Sequence, residues 1–410
     1  MGFSLLMYQH YRVGYSTQHV LIRLLEECRK ELDMDKLVGG ILMDLSKAFD
    51  TLSHDLIIAK LNSYGFTKDY LKMIYSYLKG RRQCVKVNGV NSKFQTILAG
   101  VPQWSILGPI LFNIFINDFN YFIKKANLHG FADDHTITTS SNNLNELREI
   151  LSSESNIAVD WLNSNNMLAN PSKFQAIIFT NKKEPIRTMF SIKDNVIYNQ
   201  GIVELLGVQI DEQFKFEKHI SELCRKSGGQ LNALNRLNSY LSVDSKKLSV
   251  NSFVMSNFNY CPLIWNFCSA NLENKIEKIH LRLINNDQFS YETLLENYGK
   301  CTVKTRTLRL LATEIFKTLN NKNPSYLKYI FEINHNRTSE RFKYNIKSQS
   351  FKKVRFGKKS LRVLGPILWN SLPNDIKSSN SLYKFKKETG EVTHVHTIRK
   401  HKVLHLISCV

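Results

Sequence analysis

The sequence has few cysteines and no long apolar run. Its seven cysteines are scattered over 410 residues, and no two of them have the Cys-x-x-Cys spacing. This distribution argues against a disulfide framework or a zinc ribbon, and it predicts a reducing, intracellular location in the nucleus or the cytoplasm. Because no apolar stretch approaches the roughly 18–20 residues that a helix needs to cross a bilayer, we expect no membrane-spanning segment and no membrane partner.

Acidic residues are also scarce relative to basic ones. The chain has 56 Lys and Arg against 35 Asp and Glu, a formal net charge of +21. Residues 1–210 have 22 basic and 19 acidic side chains, whereas residues 211–410 have 34 and 16. This asymmetry predicts a compact, nearly neutral domain followed by a basic part that meets a polyanion such as nucleic acid. A solvated basic surface without a partner is the alternative.

The hydrophobic pattern predicts an α+β arrangement in the first half of the chain. Leu37–Asp44 is an apolar run that predicts a buried strand ending at a carboxylate. Hairpins are predicted around Asn88-Gly89 and around Asp133-Asp134. Further strands are predicted over 174–180 and 204–210, and helices over 54–63, 68–79, 107–123, 144–162, 216–240, 244–257, 271–287 and 304–320.

Three carboxylates are the main candidates for chemistry. Asp44 ends the predicted strand, and Asp133 and Asp134 occupy the bend of the predicted hairpin. Taken singly, the pair would be a solvated turn and Asp44 a group at the start of a helix. If strand and hairpin pair in one sheet, the three carboxylates converge and repel each other unless divalent cations bind between them. Oxygen ligands suit Mg²⁺, and two such ions would support phosphoryl transfer.

Residues 337–362, which we call the basic tract, combine ten Lys and Arg with a single acidic residue. Aromatic residues are interleaved with the basic ones: Phe342, Tyr344, Phe351 and Phe356. Because basic side chains neutralise phosphates and aromatic rings stack on bases, the tract predicts a grip on a nucleic-acid strand. A flexible solubilising segment is the alternative. The candidate nucleic-acid contacts in the tract are Lys352, Lys353, Arg355, Lys358 and Lys359.

Three segments resemble motifs A, B and C of reverse transcriptases, in particular those of non-LTR (LINE-type) retrotransposons. They are Met43–Asp50, Ala99–Pro109 and Phe131–Asp134. Other segments are similar to the fingers segment, motif D, motif E and the C-terminal part of such elements: Arg12–Gln18, Asn170–Lys173, Leu205–Val208 and Leu364–Pro373. The likeness covers about residues 8–388, and the motifs occur in the family's order.

The resemblance implies a right-hand polymerase fold and an RNA-directed DNA polymerase. Its parts would be partial fingers over residues 1–36, a palm over 37–212, a helical thumb over 213–300 and a basic C-terminal extension over 301–410. The reaction would add deoxynucleotides from deoxynucleoside triphosphates to the 3′-hydroxyl of a DNA primer on an RNA template. Two Mg²⁺ ions, or Mn²⁺ in their place, would be the cofactors.

The resemblance also implies roles for the candidate catalytic residues. Asp44 and Asp133 would each ligate metal, with Asp134 assisting them. Lys173 would neutralise or protonate the pyrophosphate leaving group, and an ordinary surface lysine is the alternative for this position.

Three further residues would contact the substrate by the same resemblance. Phe49 would be the steric gate beneath the sugar, although an isolated Phe at this place would be a core residue at a helix start. Gln103 would line the pocket for nucleotide and template, and Arg12 would contact the substrate from the fingers.

The chain departs from the family pattern at three places. Trp104 stands where the family has a glycine that lets the backbone approach the nucleotide closely. The indole would either obstruct the site or pack harmlessly on neighbouring apolar residues. The chain begins almost at the Arg12 segment, so we expect an N-terminally truncated element, and the likeness fades from about Thr389. These departures favour a second hypothesis, a catalytically inactive nucleic-acid-binding remnant of a mobile element.

Overall fold

The computed structural model divides into two compact units. The first consists of residues 1–15 and 37–203, and the second of residues 16–36 and 204–410. The four-part division expected from the sequence stays a prediction. The structure describes residues 14–45, 47–237, 239–267, 269–284, 302–332 and 344–392. Arg12 and the first part of the basic tract therefore lie outside the described residues.

Helices occur in both units, and none of those in the described residues is long and apolar enough to cross a membrane. They are α1 (Thr17–Asp33), α2 (His54–Ser63), α3 (Lys68–Leu78), α4 (Leu107–Ile116), α5 (Leu144–Ser164), α6 (Glu217–Arg236), α7 (Val243–Ser249), α8 (Ser256–Asn259), α9 (Pro262–Trp265), α10 (Ala270–Ile284), α11 (Val303–Leu319), α12 (Leu361–Ser371), α13 (Asn374–Lys377) and α14 (Leu382–Val392).

Strands are concentrated in the first unit, which is α+β as expected. They are β1 (Leu37–Asp44), β2 (Arg82–Gln83), β3 (Lys86–Val87), β4 (Val90–Asn91), β5 (Gln95–Thr96), β6 (Asn127–Phe131), β7 (Asp134–Ser141), β8 (Gln175–Phe179), β9 (Met189–Ile192), β10 (Asn195–Tyr198), β11 (Ile202–Leu205) and β12 (Val208–Asp211).

The first unit is built around a four-stranded sheet in the order β6-β7-β1-β8. β1 lies in the interior of this sheet and pairs antiparallel with both β7 and β8. Its residues are buried from Leu37 to Met43, which explains the unbroken apolar run in the sequence. Gly39 allows α5 to approach the sheet, because a Cβ atom there would come within 2.5 Å of Leu151 and 2.8 Å of Leu147.

Most predicted elements of the first unit are confirmed, but the helix predicted over 107–123 ends at Ile116. Lys60 caps this end, since its ammonium donates to the Phe115 carbonyl at 2.7 Å and to the Asp118 carboxylate at 2.6 Å. A continuing helix would use the Phe115 carbonyl for its own ladder. A short 3₁₀ turn, Phe119–Tyr121, follows instead.

The single strand predicted over 204–210 is wrong. The chain turns at Leu206 and Gly207, which have φ angles of 48° and 72°, and strands β11 and β12 lie on either side. Two successive positive φ values are typical of a tight hairpin turn. Tyr260 supports this turn through its hydroxyl, which donates to the Leu206 carbonyl at 2.8 Å.

The second unit is mostly helical, as the sequence predicts. The helix predicted over 244–257 is interrupted by a π-helical turn, Val250–Met255. An aromatic stack joins α11, α12 and α14, with ring centroids 4.4 Å apart for Phe316 and Phe385 and 5.8 Å apart for Trp369 and Phe385. These three side chains are almost fully buried.

A buried hydrogen bond joins α1 to α11 in the second unit. The Nε2 atom of His19 lies 2.9 Å from the Glu314 carboxylate, and Lys317 donates to the same carboxylate at 2.7 Å. Burial acts to raise the pKa of Glu314, but the hydrogen bonds from His19 and Lys317 outweigh it and lower the pKa to about 2. The ionised carboxylate is therefore the form that the folded state favours.

We expect Glu314→Gln to flatten the acid dependence of stability. A carboxylate whose pKa is lower in the folded state stabilises above its unfolded pKa of about 4.5 and loses that contribution as pH falls towards 2. Urea unfolding between these pH values should show a loss on the order of 1–3 kcal/mol in the wild type and a smaller loss in the variant. Asp375→Asn, at an exposed position, should behave like the wild type. Equal pH dependence in the wild type and Glu314→Gln would contradict this.

Candidate functional site

The three candidate carboxylates lie at one end of the central sheet. In the β1–β7 pairing, Asp44 is directly opposite Asp134. Directly opposite residues of an antiparallel pair project from the same face of the sheet, so these two side chains share a face. Asp133 precedes β7 in the bend of the β6–β7 hairpin, which confirms the hairpin expected from the sequence. Asp44 is exposed, whereas Asp133 and Asp134 are half-buried.

The electrostatics of this end are unfavourable for three negative charges. Burial, together with the charges of Asp133 and Asp44, raises the pKa of Asp134 to about 6. The pKa of Asp133 is also raised, first by burial and then by repulsion from Asp44. The charge of Asp44 thus makes Asp133 and Asp134 harder to ionise, and the charge of Asp133 acts on Asp134 in the same way. A bound cation would relieve this repulsion.

The chemistry of the donor set fits a divalent cation, because carboxylate oxygens are the ligands that Mg²⁺ prefers in proteins. Within the described part of the chain, however, no three His, Cys, Asp or Glu side chains converge as a ready metal cluster. The metal-binding role of Asp44, Asp133 and Asp134 therefore stays a prediction.

His135 supports the bend that holds these carboxylates. Its ring is fully buried and packs edge-on against Phe119, with ring centroids 5.5 Å apart. Burial lowers the pKa of His135 to about 4, so the imidazole is neutral near pH 7. Its Nδ1 atom lies 3.2 Å from the Asp133 carbonyl oxygen and donates to it. No pattern in the sequence indicates this role, since a His beside an Asp pair has no characteristic spacing.

The segment after Asp44 is hydrogen-bonded to the segment before α4. The amide of Gly100 donates to the Leu52 carbonyl at 2.7 Å, and the amide of Val101 donates to the Phe49 carbonyl at 2.9 Å. His54 Nε2 donates to the Gly100 carbonyl at 2.8 Å. The two motif-bearing segments are thus held together by backbone contacts.

Gly100 is required at this junction. Its φ angle is 88°, which favours glycine, and a Cβ atom would come within 2.7 Å of the Asp50 backbone. Any side chain would force the two segments apart. In the sequence Gly100 is marked only as part of the segment Ala99–Pro109, and the close approach to the Asp50 backbone is the physical reason for a glycine there.

Phe49 and Gln103 flank this junction in different ways. Phe49 is half-buried and stacks on Phe112 of α4, with ring centroids 4.5 Å apart. Phe49 is therefore partly a core residue, which is the alternative that the sequence analysis offers for this position. Gln103 is exposed and its amide donates to the Asp50 carboxylate at 2.8 Å. The sequence analysis assigns no role to Asp50, although this residue ends the segment Met43–Asp50 that resembles motif A.

Lys173 lies on a segment that is tied to the strand end carrying Asp44. Leu45 forms an isolated antiparallel bridge with Ala169. Lys173 ends the 3₁₀ turn Pro171–Lys173, which begins at Asn170 with a side-chain cap to the Ser172 amide at 3.2 Å. The Lys173 side chain is exposed. The structure thus brings its segment beside the strand that ends in Asp44.

Trp104 is fully exposed, with a relative accessibility of 102%. The expectation that its indole packs harmlessly on neighbouring apolar residues is therefore wrong. Its φ angle is 62°, in the left-handed region that favours glycine. The backbone of Trp104 thus has a conformation that favours glycine, and the packing of its exposed side chain does not compensate for this strain.

The basic tract belongs to the second unit, and its described part is attached to α1. The Asp33 carboxylate accepts from the amides of Lys352 and Lys353, at 3.1 and 2.7 Å. Glu26 accepts from the Leu361 amide at 2.8 Å. Both carboxylates are buried. These contacts contradict the alternative of a flexible solubilising segment for residues 344–362.

The five candidate cations of the tract differ in exposure. Lys352 and Arg355 are exposed, Lys353 forms an ion pair with Asp35, and Lys358 and Lys359 are half-buried. The expectation that Phe356 stacks on a base is wrong, because its ring is fully buried. Phe351 remains exposed.

Residues 9–210 match the family described as reverse transcriptase (RNA-dependent DNA polymerase). Over that range the chain belongs to this family, and its relatives identify it as of the LINE type.

Two of the relatives are mobile-element proteins of Drosophila melanogaster. The chain is 27% identical over 283 residues to the probable RNA-directed DNA polymerase from transposon BS, with 66% of this chain and 31% of that protein aligned. It is 24% identical over 324 residues to the corresponding protein from transposon X-element, with 77% of this chain and 35% of that protein aligned. The chain thus spans about a third of the length of these relatives.

A solved structure of telomerase from Candida tropicalis, in complex with the TWJ fragment of telomeric RNA, is also similar. The sequence identity is 14% and the TM-score is 0.37, and the match covers 73% of this chain and 51% of that chain. A TM-score this low supports no structural conclusion.

We expect Trp104→Gly to be at least as stable as the wild type and more stable than Trp104→Ala by about 1 kcal/mol. Both variants remove the exposed indole, but only glycine relieves the left-handed backbone. Thermal unfolding of the three proteins measures the difference. Equal stability of the Gly and Ala variants would show that the backbone conformation at Trp104 carries no strain.

Proposed function

We propose that the chain is the polymerase portion of a non-LTR retrotransposon reverse transcriptase. It would add deoxynucleotides to a DNA primer on an RNA template, in the nucleus or the cytoplasm. The observation that carries the proposal is the register that sets Asp44 opposite Asp134, with Asp133 in the adjoining bend, inside the range that matches the family. Because the chain spans about a third of its relatives, the activity of the whole protein belongs to this proposal.

The finer architecture follows the same proposal. Residues 37–212 would be the palm, which is supported by the four-stranded sheet and its acidic end. Residues 1–36 would be partial fingers and residues 213–300 the thumb, which is supported by the helices after β12. Residues 301–410 would be the basic C-terminal extension.

Asp44 and Asp133, assisted by Asp134, would hold two Mg²⁺ ions, with Mn²⁺ as the alternative. The ions would supply charge stabilisation for phosphoryl transfer. The exposure of Asp44 and the raised pKa values of Asp133 and Asp134 support this assignment, because a cation would find accessible ligands and relieve their repulsion.

The remaining site residues would position the substrates. Phe49, whose ring stacks on Phe112, would contact the sugar, and Gln103 would orient the nucleotide from its contact with Asp50. Lys173 would meet the pyrophosphate, which its exposed ammonium allows. Arg12 would contact the substrate as well. Phosphoryl transfer asks mainly for positioning and charge stabilisation.

A catalytically inactive nucleic-acid-binding remnant is the second candidate function. The exposed indole of Trp104 favours it, because a large side chain stands beside Gln103 where a glycine would leave space. Primer extension separates the two functions, since both require nucleic-acid binding and only the first requires incorporation.

Asp133→Asn should lower incorporation by roughly two orders of magnitude or more, as for the loss of a preorganised electrostatic contact. Primer extension on poly(rA)/oligo(dT) measures it. Binding of the primer–template should be unchanged, because the substitution removes a metal ligand and no phosphate contact. Asp194→Asn, at an exposed position of the same unit, is the matched control and should extend like the wild type.

The same variants test metal binding without reference to activity. Mg²⁺ should raise the melting temperature of the wild type by mass action, and it should do so less in Asp133→Asn than in Asp194→Asn. Incorporation that survives Asp133→Asn would overturn the role of this carboxylate. A wild type that binds primer–template without extending it would favour the inactive remnant.

The exposed cations of the basic tract should add to the salt dependence of nucleic-acid binding. Lys352→Gln with Arg355→Gln should reduce the log–log slope of affinity against salt by about 1.4–1.8 if both cations contact phosphates. The larger variant that also changes Lys353, Lys358 and Lys359 should reduce it further. Fluorescence anisotropy of a labelled primer–template measures the slopes. An unchanged slope in both variants would assign the tract a purely structural role on α1.

A further inference from the structure

The stretch between residues 70 and 117 contains no acidic residue. It has six basic ones, which are Lys72, Lys79, Arg81, Arg82, Lys86 and Lys93. Five of them lie within residues 79–96, which we call the basic hairpin. The nearly neutral balance of the first 210 residues hides this local excess, because the acidic residues lie elsewhere.

The basic hairpin is a two-stranded element in two short ladders. β2 pairs with β5, and β3 pairs with β4 across a turn at Asn88 and Gly89. These two residues have φ angles of 48° and 85°, as a tight hairpin turn requires. The Ile97 amide donates to the Arg81 carbonyl at 2.9 Å and closes the base of the hairpin.

Nearly the whole hairpin is accessible to solvent. Within residues 79–96, every residue except Cys84 is exposed. An isolated two-stranded hairpin is marginally stable in water, and this one buries almost no apolar surface of its own. An element of this kind is explained best by a partner that it contacts.

The two faces of the hairpin differ in chemistry. Arg82 lies in β2 and Lys86, four residues later, lies in β3, so the two-residue alternation of the extended chain places them on the same face. Val87 alternates with them and pairs with Val90 on the opposite face. The register places one extra residue in the strand that contains Phe94, which is typical of a β-bulge.

Two arginines of the hairpin lie over aromatic rings, which do not neutralise their charges. Arg82 lies over Phe94, with the guanidinium 5.5 Å from the ring centroid. At the base of the hairpin, Arg81 lies 5.8 Å from the ring centroid of Tyr77. These contacts restrict the side chains while leaving the positive charges available to an anion.

We propose that the basic hairpin binds the phosphate backbone of a nucleic-acid strand through Arg82 and Lys86, with Phe94 beside them. The proposal rests on the proposed function, whose template or primer supplies the strand. The two cations are about 13 Å apart along the strand, comparable to the rise of about four nucleotides in one strand. They would contact phosphates several nucleotides apart.

The arrangement of the two faces favours nucleic acid over an anionic membrane. On a bilayer the valines would insert among the lipids. The cations of the opposite face would then point away from the lipid phosphates. A nucleic-acid strand meets cations and aromatic ring on one face, which is the combination that strand-binding surfaces use.

The test measures affinity against salt for the full chain, using a fluorescein-labelled RNA–DNA primer–template and a labelled single-stranded RNA. Arg82→Gln with Lys86→Gln should reduce the log–log slope by about 1.8 for a duplex or about 1.4 for a single strand. The probe whose slope falls identifies which strand form the hairpin contacts. Lys182→Gln with Lys183→Gln removes the same charge from exposed positions of the same unit and should leave the slope unchanged.

A charge-keeping variant separates charge from structure. Arg82→Lys with Lys86→Arg should retain the wild-type slope, and loss of the slope there would overturn the proposal. An unchanged slope in the Gln variant, or an equal reduction in the Lys182 and Lys183 control, would also overturn it while leaving the proposed function intact. If binding to phosphatidylserine vesicles depends on Arg82 and Lys86 and binding to nucleic acid does not, a membrane contact would replace the proposal. No binding by the wild type would overturn both proposals.

Discussion

The antiparallel register between β1 and β7 determines the geometry of the candidate site. A slip of one residue would move each side chain of β1 to the other face of the sheet. The slip would part Asp44 from Asp134 and turn Ile41 and Met43 out of the core. The packing of Ile41 and Met43 in the main core cluster resists such a slip, because the slip would remove both side chains from that cluster. The repulsion among the carboxylates is therefore tolerated at the end of a strand whose position is fixed by its interior.

The sequence predicted those elements whose signals are local. The apolar run of β1 and the Asn88-Gly89 turn were both read correctly, because burial on two faces and positive φ leave direct traces in residue type. The end of α4 was not predicted correctly. The contact that caps it comes from Lys60, which is 55 residues from Phe115 in the sequence and donates to its carbonyl. Long-range hydrogen bonds leave no pattern in a window of sequence.

The same distinction between local signals and long-range contacts applies to the candidate site. The carboxylates and Gly100 could be found from motifs, but the contacts that hold them could not. His54 and His135 each support a carbonyl of the site, and nothing in their spacing marks them. The attachment of the basic tract is a stronger case, since Asp33 and the Lys353 amide that it accepts are 320 residues apart. A positive tract reads as a solvated segment until its buried anchors are known.

Charge in this chain is informative at the scale of a single element. Averaged over residues 1–210 it is nearly neutral, yet carboxylates repel each other at Asp44 while residues 70–117 lack them altogether. Separation of this kind would be costly in a domain that met only water, because each like-charged group destabilises its neighbours. The separation of acidic from basic residues would become favourable if cations bound the acidic end of the sheet and phosphates bound the basic hairpin. A polymerase substrate supplies both, since its phosphates are anionic and arrive with divalent metal. The segregated charges of the first unit and the proposed chemistry thus have one physical explanation.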